Sequence, residues 1–251
     1  MKIAFEISED EASRARAFFV DWQSNPLVVA RQRRNVDGIR SCADRDQFWE
    51  ALVSALLTTQ QRSGPASAVN RFVSASPFPL GLADCWGNQP CRAFVEQRIT
   101  AFGGIRRGHT IAGELEADLE WLEQGGWASI LPRLSAPEAS ATPALERETA
   151  RHIAANLKGL GPKQARNVLQ MLGLTRYETP IDSRIAKWLN GFGFPMRLTA
   201  AGLADQSYYE IVEDGFQALC ARAGVLPCLM DAAIFASFDG SAWSEKGVVR
   251  W

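Results

Sequence analysis

Leu157-Lys158-Gly159-Leu160-Gly161-Pro162-Lys163-Gln164-Ala165-Arg166-Asn167, followed by an apolar run and then by Thr179-Pro180-Ile181-Asp182, is the stretch that decides the fold. Gly159 and Gly161 flank Leu160, so the chain can turn sharply, with positive φ at either glycine. Pro162 suits the first position of a helix, where a missing N–H costs nothing. Ala165, Val168, Leu169 and Leu172 recur at i, i+3, i+4 and i+7, one apolar helical stripe, and Gly173 suits the C-terminal cap. Upstream, Thr142-Pro143 reads as another helix start, with Leu145, Ile153, Ala154 and Leu157 on its apolar face. The predicted unit is helix, glycine hairpin, helix. Its free amide N–H groups and the new helix N-terminus together form an anion site.

Two ionisable residues stand at helix mouths in this unit. Lys163 falls in the first turn of the second helix, where the positive end of the helix dipole disfavours an ammonium and enlarges the neutral, nucleophilic fraction. Asp182 precedes Ser183-Arg184-Ile185-Ala186-Lys187-Trp188-Leu189, a short helical pattern, so its carboxylate projects from that helix's N-terminus. Taken singly, the lysine reads equally as a phosphate contact and the aspartate as a cap.

Outward from this unit the pattern is helical nearly throughout. Gln47–Thr59 is apolar almost all round and predicts a central buried helix. Helices are also expected near 10–20, 65–74, 92–101, 111–124, 127–134, 183–190, 207–223 and 227–237. Pro77, Pro79 and Pro90 mark a loop-rich stretch, and Ser135–Pro143 a connector. Lys2–Ile7 is a possible short strand. The fold class is all-α.

The run from Leu157 to Asp182 resembles the helix-hairpin-helix DNA glycosylases, and most of all the lysine-bearing 8-oxoguanine DNA glycosylase/AP lyases. The resemblance is strong over 145–190 and looser elsewhere. It implies two helical subdomains with a cleft between them, a helical barrel over 46–174 ending in the hairpin and a second unit of 1–45 plus 175–251. It implies that Lys163 is the Schiff-base nucleophile and Asp182 the carboxylate that steadies charge at the sugar. Gly159, Gly161, Lys158 and Arg184 fall where DNA phosphate is held. Leu57-Thr58-Thr59-Gln60 resembles the segment whose polar residue, here Gln60, fills the space of a flipped base. Gly103-Gly104-Ile105-Arg106 resembles the turn that wedges into the duplex, with Ile105 for the aromatic and Arg106 facing the orphaned base. Late in the chain, Asp231 and Phe235 share a helical face and match the base pocket, which Trp251 could also reach.

Two positions depart from that pattern. Residue 184 is arginine where lysine-bearing relatives carry histidine, and Asp231 replaces an amide, which leaves the excised base open. The implied activity is excision of a damaged base, first 8-oxoguanine, with strand nicking by β-elimination. The alternatives are a glycosylase for another modified base and a non-catalytic DNA-binding module.

Composition sets bounds on this. The 251 residues carry a net charge of −1. Charge is unevenly placed: from Leu157 to Lys187 six basic residues face two acidic ones, while from Ile111 to Ala150 eight acids face two arginines. A basic face that touches phosphate is expected, with Glu114, Glu116, Asp118, Glu120 and Glu123 on a solvated acidic surface. The five cysteines, Cys42, Cys85, Cys91, Cys220 and Cys228, show no zinc spacing, and only two follow Asp182, too few for a four-cysteine iron–sulfur cluster. No metal or cofactor is expected. No apolar run is long enough to cross a bilayer, and the N-terminus lacks a signal-peptide core, so the expected setting is the cytoplasm, on the nucleoid, or a nucleus. The expected partner is double-stranded DNA bearing a damaged base, bound by a monomer.

Overall fold

The computed structural model describes residues 3–38, 44–64, 66–135, 142–239 and 243. Among these, all regular structure is helical. The chain opens with α1 (Glu9–Trp22), started by a capping box in which the Ser8 hydroxyl accepts from the Glu11 N–H and the Glu11 carboxylate accepts from the Ser8 N–H. Asn25 caps α2 (Pro26–Arg31), which runs into a π-helical turn at Gln32–Asp37. Asp44 and Gln47 form a second capping box ahead of α3 (Arg45–Leu57). From Ala51 to Leu57 every residue of α3 is buried, and the Trp49 indole donates to the Leu80 carbonyl at 2.9 Å. Each large apolar side chain so removed from water contributes roughly 1.5–3 kcal/mol, which makes α3 the axis of its cluster.

Five further helices follow around this axis: α4 (Ala68–Val73), α5 (Leu82–Gly87), α6 (Cys91–Phe102), α7 (Gly108–Trp121) and α8 (Trp127–Leu134). A π turn at Leu122–Gly126 separates the last two. Then come α9 (Pro143–Asn156) and α10 (Pro162–Met171), joined by the hairpin, followed by α11 (Ser183–Phe192), α12 (Gln206–Ala223) and α13 (Pro227–Asp239). The axes of α12 and α13 bend by 97° at their junction. No single described helix is long and apolar enough to cross a membrane.

The apolar interior forms two clusters. One gathers α3 to α10 with Leu27 and Val28 of α2 and with Ala232, Ala233, Ala236 and Trp243. The other joins α11, α12 and one face of α13 to Ala15 of α1. Helix α13 contributes Ala232 and Ala233 to the first and Met230 and Ile234 to the second, so it stitches the two together.

Several local expectations are corrected. Residues 3–7 form no strand, because a half-exposed run of five has nothing to pair with; Lys2 lies outside the described residues. Helix α5 interrupts the stretch that read as loop-rich, and α2 lies where no element was expected, since six-residue helices carry too little periodicity to register. Most of the expected connector Ser135–Pro143 lies outside the described residues.

Candidate active site

The hairpin holds the shape that its glycines allow, though not symmetrically. Gly159 takes φ +72°, while Gly161 is extended at φ −80° and caps α10, so only the first uses the left-handed region. A Cβ on Gly159 would sit 2.5 Å from Glu114 Cδ and 2.7 Å from Leu56 Cδ2; one on Gly161 would meet nothing. Leu157 and Leu160 anchor the turn in the core. Helix α10 ends at Gly173, φ +73°, in a Schellman motif: the Gly173 N–H donates to Gln170 O and the Leu174 N–H to Leu169 O.

The acidic side of α7 and the turn after it is only partly solvated: Glu120 and Glu123 are exposed as expected, but beneath the hairpin the acids turn inward. Asp118 is fully buried and accepts the Lys158 N–H at 2.6 Å, and Glu114 lies half-buried against Arg107 and Gly159. Burial pushes the Asp118 carboxyl up to about 7. The Lys158 amide is thereby satisfied internally rather than free for an anion, while its side chain is exposed. The basic face is narrower too. Arg166 is buried, its Nε 2.7 Å from Glu178 Oε2 with Glu213 beyond, and its guanidinium lies over the Tyr209 ring. Arg176 is tied to the carbonyls of Asn35 and Val36. Neither is a surface cation.

Between α10, α11 and α13 opens a cleft of about 950 Å³ whose walls include Lys163, Asp182, Arg184, Asp231 and Phe235. Lys163 Nζ donates to Gln164 Oε1 at 3.2 Å. Burial lowers the amine below the ordinary lysine value; Asp182 and Asp231 oppose that shift and Arg184 adds to it. The sequence invoked the helix dipole for the same direction; the structure adds loss of water as a cause. Asp182 caps α11, its Oδ1 accepting from the Arg184 and Ile185 N–H groups at 2.7 and 3.1 Å. Its Oδ2 stands 3.2 Å from Arg184 Nη1.

Arg184, expected at phosphate, lies over Phe235, its guanidinium carbon 3.8 Å from the ring centroid. Asp231 is buried and held from two sides: Arg31 Nη1 lies 2.8 Å and Gln170 Nε2 3.0 Å from its Oδ2. Its carboxyl is raised by burial, with Arg31 pulling it back. Trp251 lies outside the described residues; the tryptophan beside Phe235 is Trp243, with ring centroids 5.8 Å apart.

The wedge candidates gather on the opposite lip. Gln60 is exposed with φ +57° and lines the cleft, and its carbonyl accepts from Arg106 Nη2 at 2.7 Å. Ile105 instead packs partly against the core, so Arg106 and not Ile105 reaches the cleft. A polar net ties this lip to the lysine: Gln164 Nε2 donates to the Thr58 and Thr59 hydroxyls, and Asn167 Nδ2 donates to Thr58.

Sequence reasoning missed Arg31, Gln164, Asn167 and Gln170. A signal for the last three existed: the polar stripe of α10 carries amides and is buried, which implies a lined cavity rather than solvent. Arg31 had none, because its partner lies 200 residues away. Among the described residues, no group of three or more His, Cys, Asp or Glu side chains is placed to hold a metal ion. Chemically, the cleft offers a depressed amine, a carboxylate nearby and an aromatic-and-polar recess.

No family model matches the chain, and no curated protein sequence matches it. Solved structures do resemble it. The 8-oxoguanine DNA glycosylase of Methanocaldococcus jannaschii superposes with a TM-score of 0.66 at 15% identity, over 94% of this chain and 98% of that one. The 8-oxoguanine DNA glycosylase of Thermotoga maritima gives 0.66 at 13%, over 94% and 99%. The M. jannaschii glycosylase/lyase in complex with a 15mer DNA containing 8-oxoguanine gives 0.67 at 14%, over 92% and 100%. At such identities the likeness is one of fold.

Proposed function

We propose that this protein is a DNA glycosylase with abasic-site lyase activity, acting on duplex DNA that bears a damaged base. The observation that carries the reading is a lysine amine depressed by burial in the same cleft as the capping carboxylate Asp182. Depression matters because only the neutral amine attacks. In the proposed reaction the Lys163 Nζ lone pair bonds C1′ while the glycosidic C–N bond breaks, and the base leaves with that electron pair. Asp182 balances the positive charge that develops at the sugar. Opening of the sugar ring gives a protonated imine; loss of a C2′ proton then expels the 3′ phosphate and nicks the strand.

The base would enter the recess between Phe235 and Asp231, and Gln60 with Arg106 would occupy the vacated stack. Both groups sit on the cleft, which supports a single duplex-binding face, and the exposed hairpin next to Gly161 supplies its phosphate contact. Full-length likeness to proteins named for 8-oxoguanine makes that base the first substrate to test.

The test is borohydride trapping on a panel of duplexes, each with one lesion or an abasic site. A covalent protein–DNA adduct that disappears in Lys163→Gln is expected. No adduct with any lesion or abasic site refutes the lyase assignment and leaves a DNA-binding module.

A further inference from the structure

Two buried polar atoms on residues that line the cleft have no hydrogen-bond partner. Arg31 Nε, a donor, and Gln170 Oε1, an acceptor, are both buried and both without one. Their residues are 4% and 5% exposed, and both line the cleft. Leaving a buried polar group without a partner is costly, and here two side chains that do so converge on one carboxylate. Each side chain spends its other end on the same oxygen: Arg31 Nη1 at 2.8 Å and Gln170 Nε2 at 3.0 Å from Asp231 Oδ2. That shared grip fixes the orientation of both. It also makes the amide assignment unambiguous, since a flipped Gln170 would set its oxygen against the carboxylate. Neither bond uses Asp231 Oδ1.

We infer that Arg31 and Gln170, with Asp231 between them, are the residues that select the base: Arg31 Nε donates to a carbonyl on its edge, and Gln170 Oε1 accepts from an adjacent ring or amine N–H. The inference rests on the glycosylase reading. The trio sets one donor, Arg31 Nε, beside two acceptors, Gln170 Oε1 and the carboxylate. It therefore suits a base edge with a ring N–H and an amine next to a C=O, the guanine-type edge. Adenine-type edges bring a ring nitrogen lone pair toward this surplus of acceptors. Lys163 and Asp182 act at the sugar and are separate from this choice. Arg31 lies on α2 and Gln170 on α10, so the selecting pair is assembled from segments 139 residues apart.

The separation of base from sugar supplies the test. Arg31→Met and Gln170→Leu are assayed in single turnover on duplexes carrying 8-oxoguanine, 8-oxohypoxanthine (which lacks the amine) or 8-oxoadenine, and on a duplex with a preformed abasic site. An abasic site has no base to read. Excision of the guanine-type lesion should fall about 100-fold or more in both variants, while abasic nicking, compared on the high-pH plateau where the Asp231 charge no longer sets the amine's protonation, stays within about threefold of wild type. The wild type should rank the three lesions in the order of their donors, and Gln170→Leu should flatten that ranking. Intact abasic nicking also certifies that a variant folds; should Arg31→Met lose it, Arg31→Lys, which keeps the charge on Asp231 but has no Nε–H fork, carries the same measurement. Variants that excise at wild-type rates, or an Arg31→Lys or Gln170→Leu that loses excision and nicking in parallel, overturn the inference. A wild type inactive on every duplex refutes instead the reading beneath it.

Discussion

Gly159→Ala and Gly161→Ala look alike in the sequence and should behave oppositely. At Gly159 an alanine must hold φ +72°, a left-handed conformation that costs an L-residue roughly 1–2 kcal/mol. Its Cβ would also meet Glu114 Cδ at 2.5 Å and Leu56 Cδ2 at 2.7 Å, and overpacking of that kind adds about 1–3 kcal/mol. The total is a destabilisation of about 2–5 kcal/mol, or roughly 4–20 °C in Tm for a chain of this size. At Gly161 the backbone is already in a region open to alanine, and the methyl meets nothing. There the loss of unfolded-state freedom should stabilise the protein by roughly 0.4–1 kcal/mol. The assay is thermal unfolding followed by circular dichroism, paired with fluorescence anisotropy on a labelled duplex. Gly161→Ala should melt at or above the wild type yet bind duplex more weakly, because its methyl projects from the exposed hairpin toward the proposed phosphate. Equal Tm shifts for the two variants would refute the asymmetry argued for this turn.

Borohydride trapping on abasic DNA should rise with pH and level off below the range of an ordinary lysine, because burial lowers Lys163. Asp231→Asn removes a charge that holds the amine up, so the same profile should move to lower pH; a shift to higher pH contradicts the assignment. Asp118 has a folded value of about 7, above that of an unfolded carboxylate, so the folded state holds its proton more tightly. Its contribution to stability is full below the ordinary carboxylate range, declines as pH climbs toward about 7, and is flat beyond. In denaturant titrations Asp118→Asn should therefore lose less stability between pH 5 and pH 8 than the wild type does. Glu178→Gln strips Arg166 of its main counter-charge and should cost about 3–5 kcal/mol, read from the same titrations.

Much of this architecture was legible from local pattern. The hairpin, the two capped helices around it and the buried α3 all follow from glycine, proline and apolar spacing within a dozen residues, and all form. What could not be read depends on which segments meet in space. Arg166 counts as a surface cation until Glu178 and Glu213 are seen to enclose it. Asp118 and Glu114 look like a solvated helix face until the hairpin closes over them. Arg184 fits a phosphate contact by position, yet its planar fork finds a ring and a carboxylate nearer at hand. Arg31 is undetectable without knowing that α2 lies on α13.

That last pairing reaches into the life of the chain before it is folded. Helices α1 and α2 find their partners on α12 and α13, about two hundred residues later, so during synthesis α1 and α2 must wait for α12 and α13. The middle segment can collapse around α3 while both ends remain solvent-bound, and the entropy of closing so long a loop falls on the final step. Holding α1 and α2 beside α12 and α13 before folding begins, by a tether between them, should shorten refolding without altering the cleft.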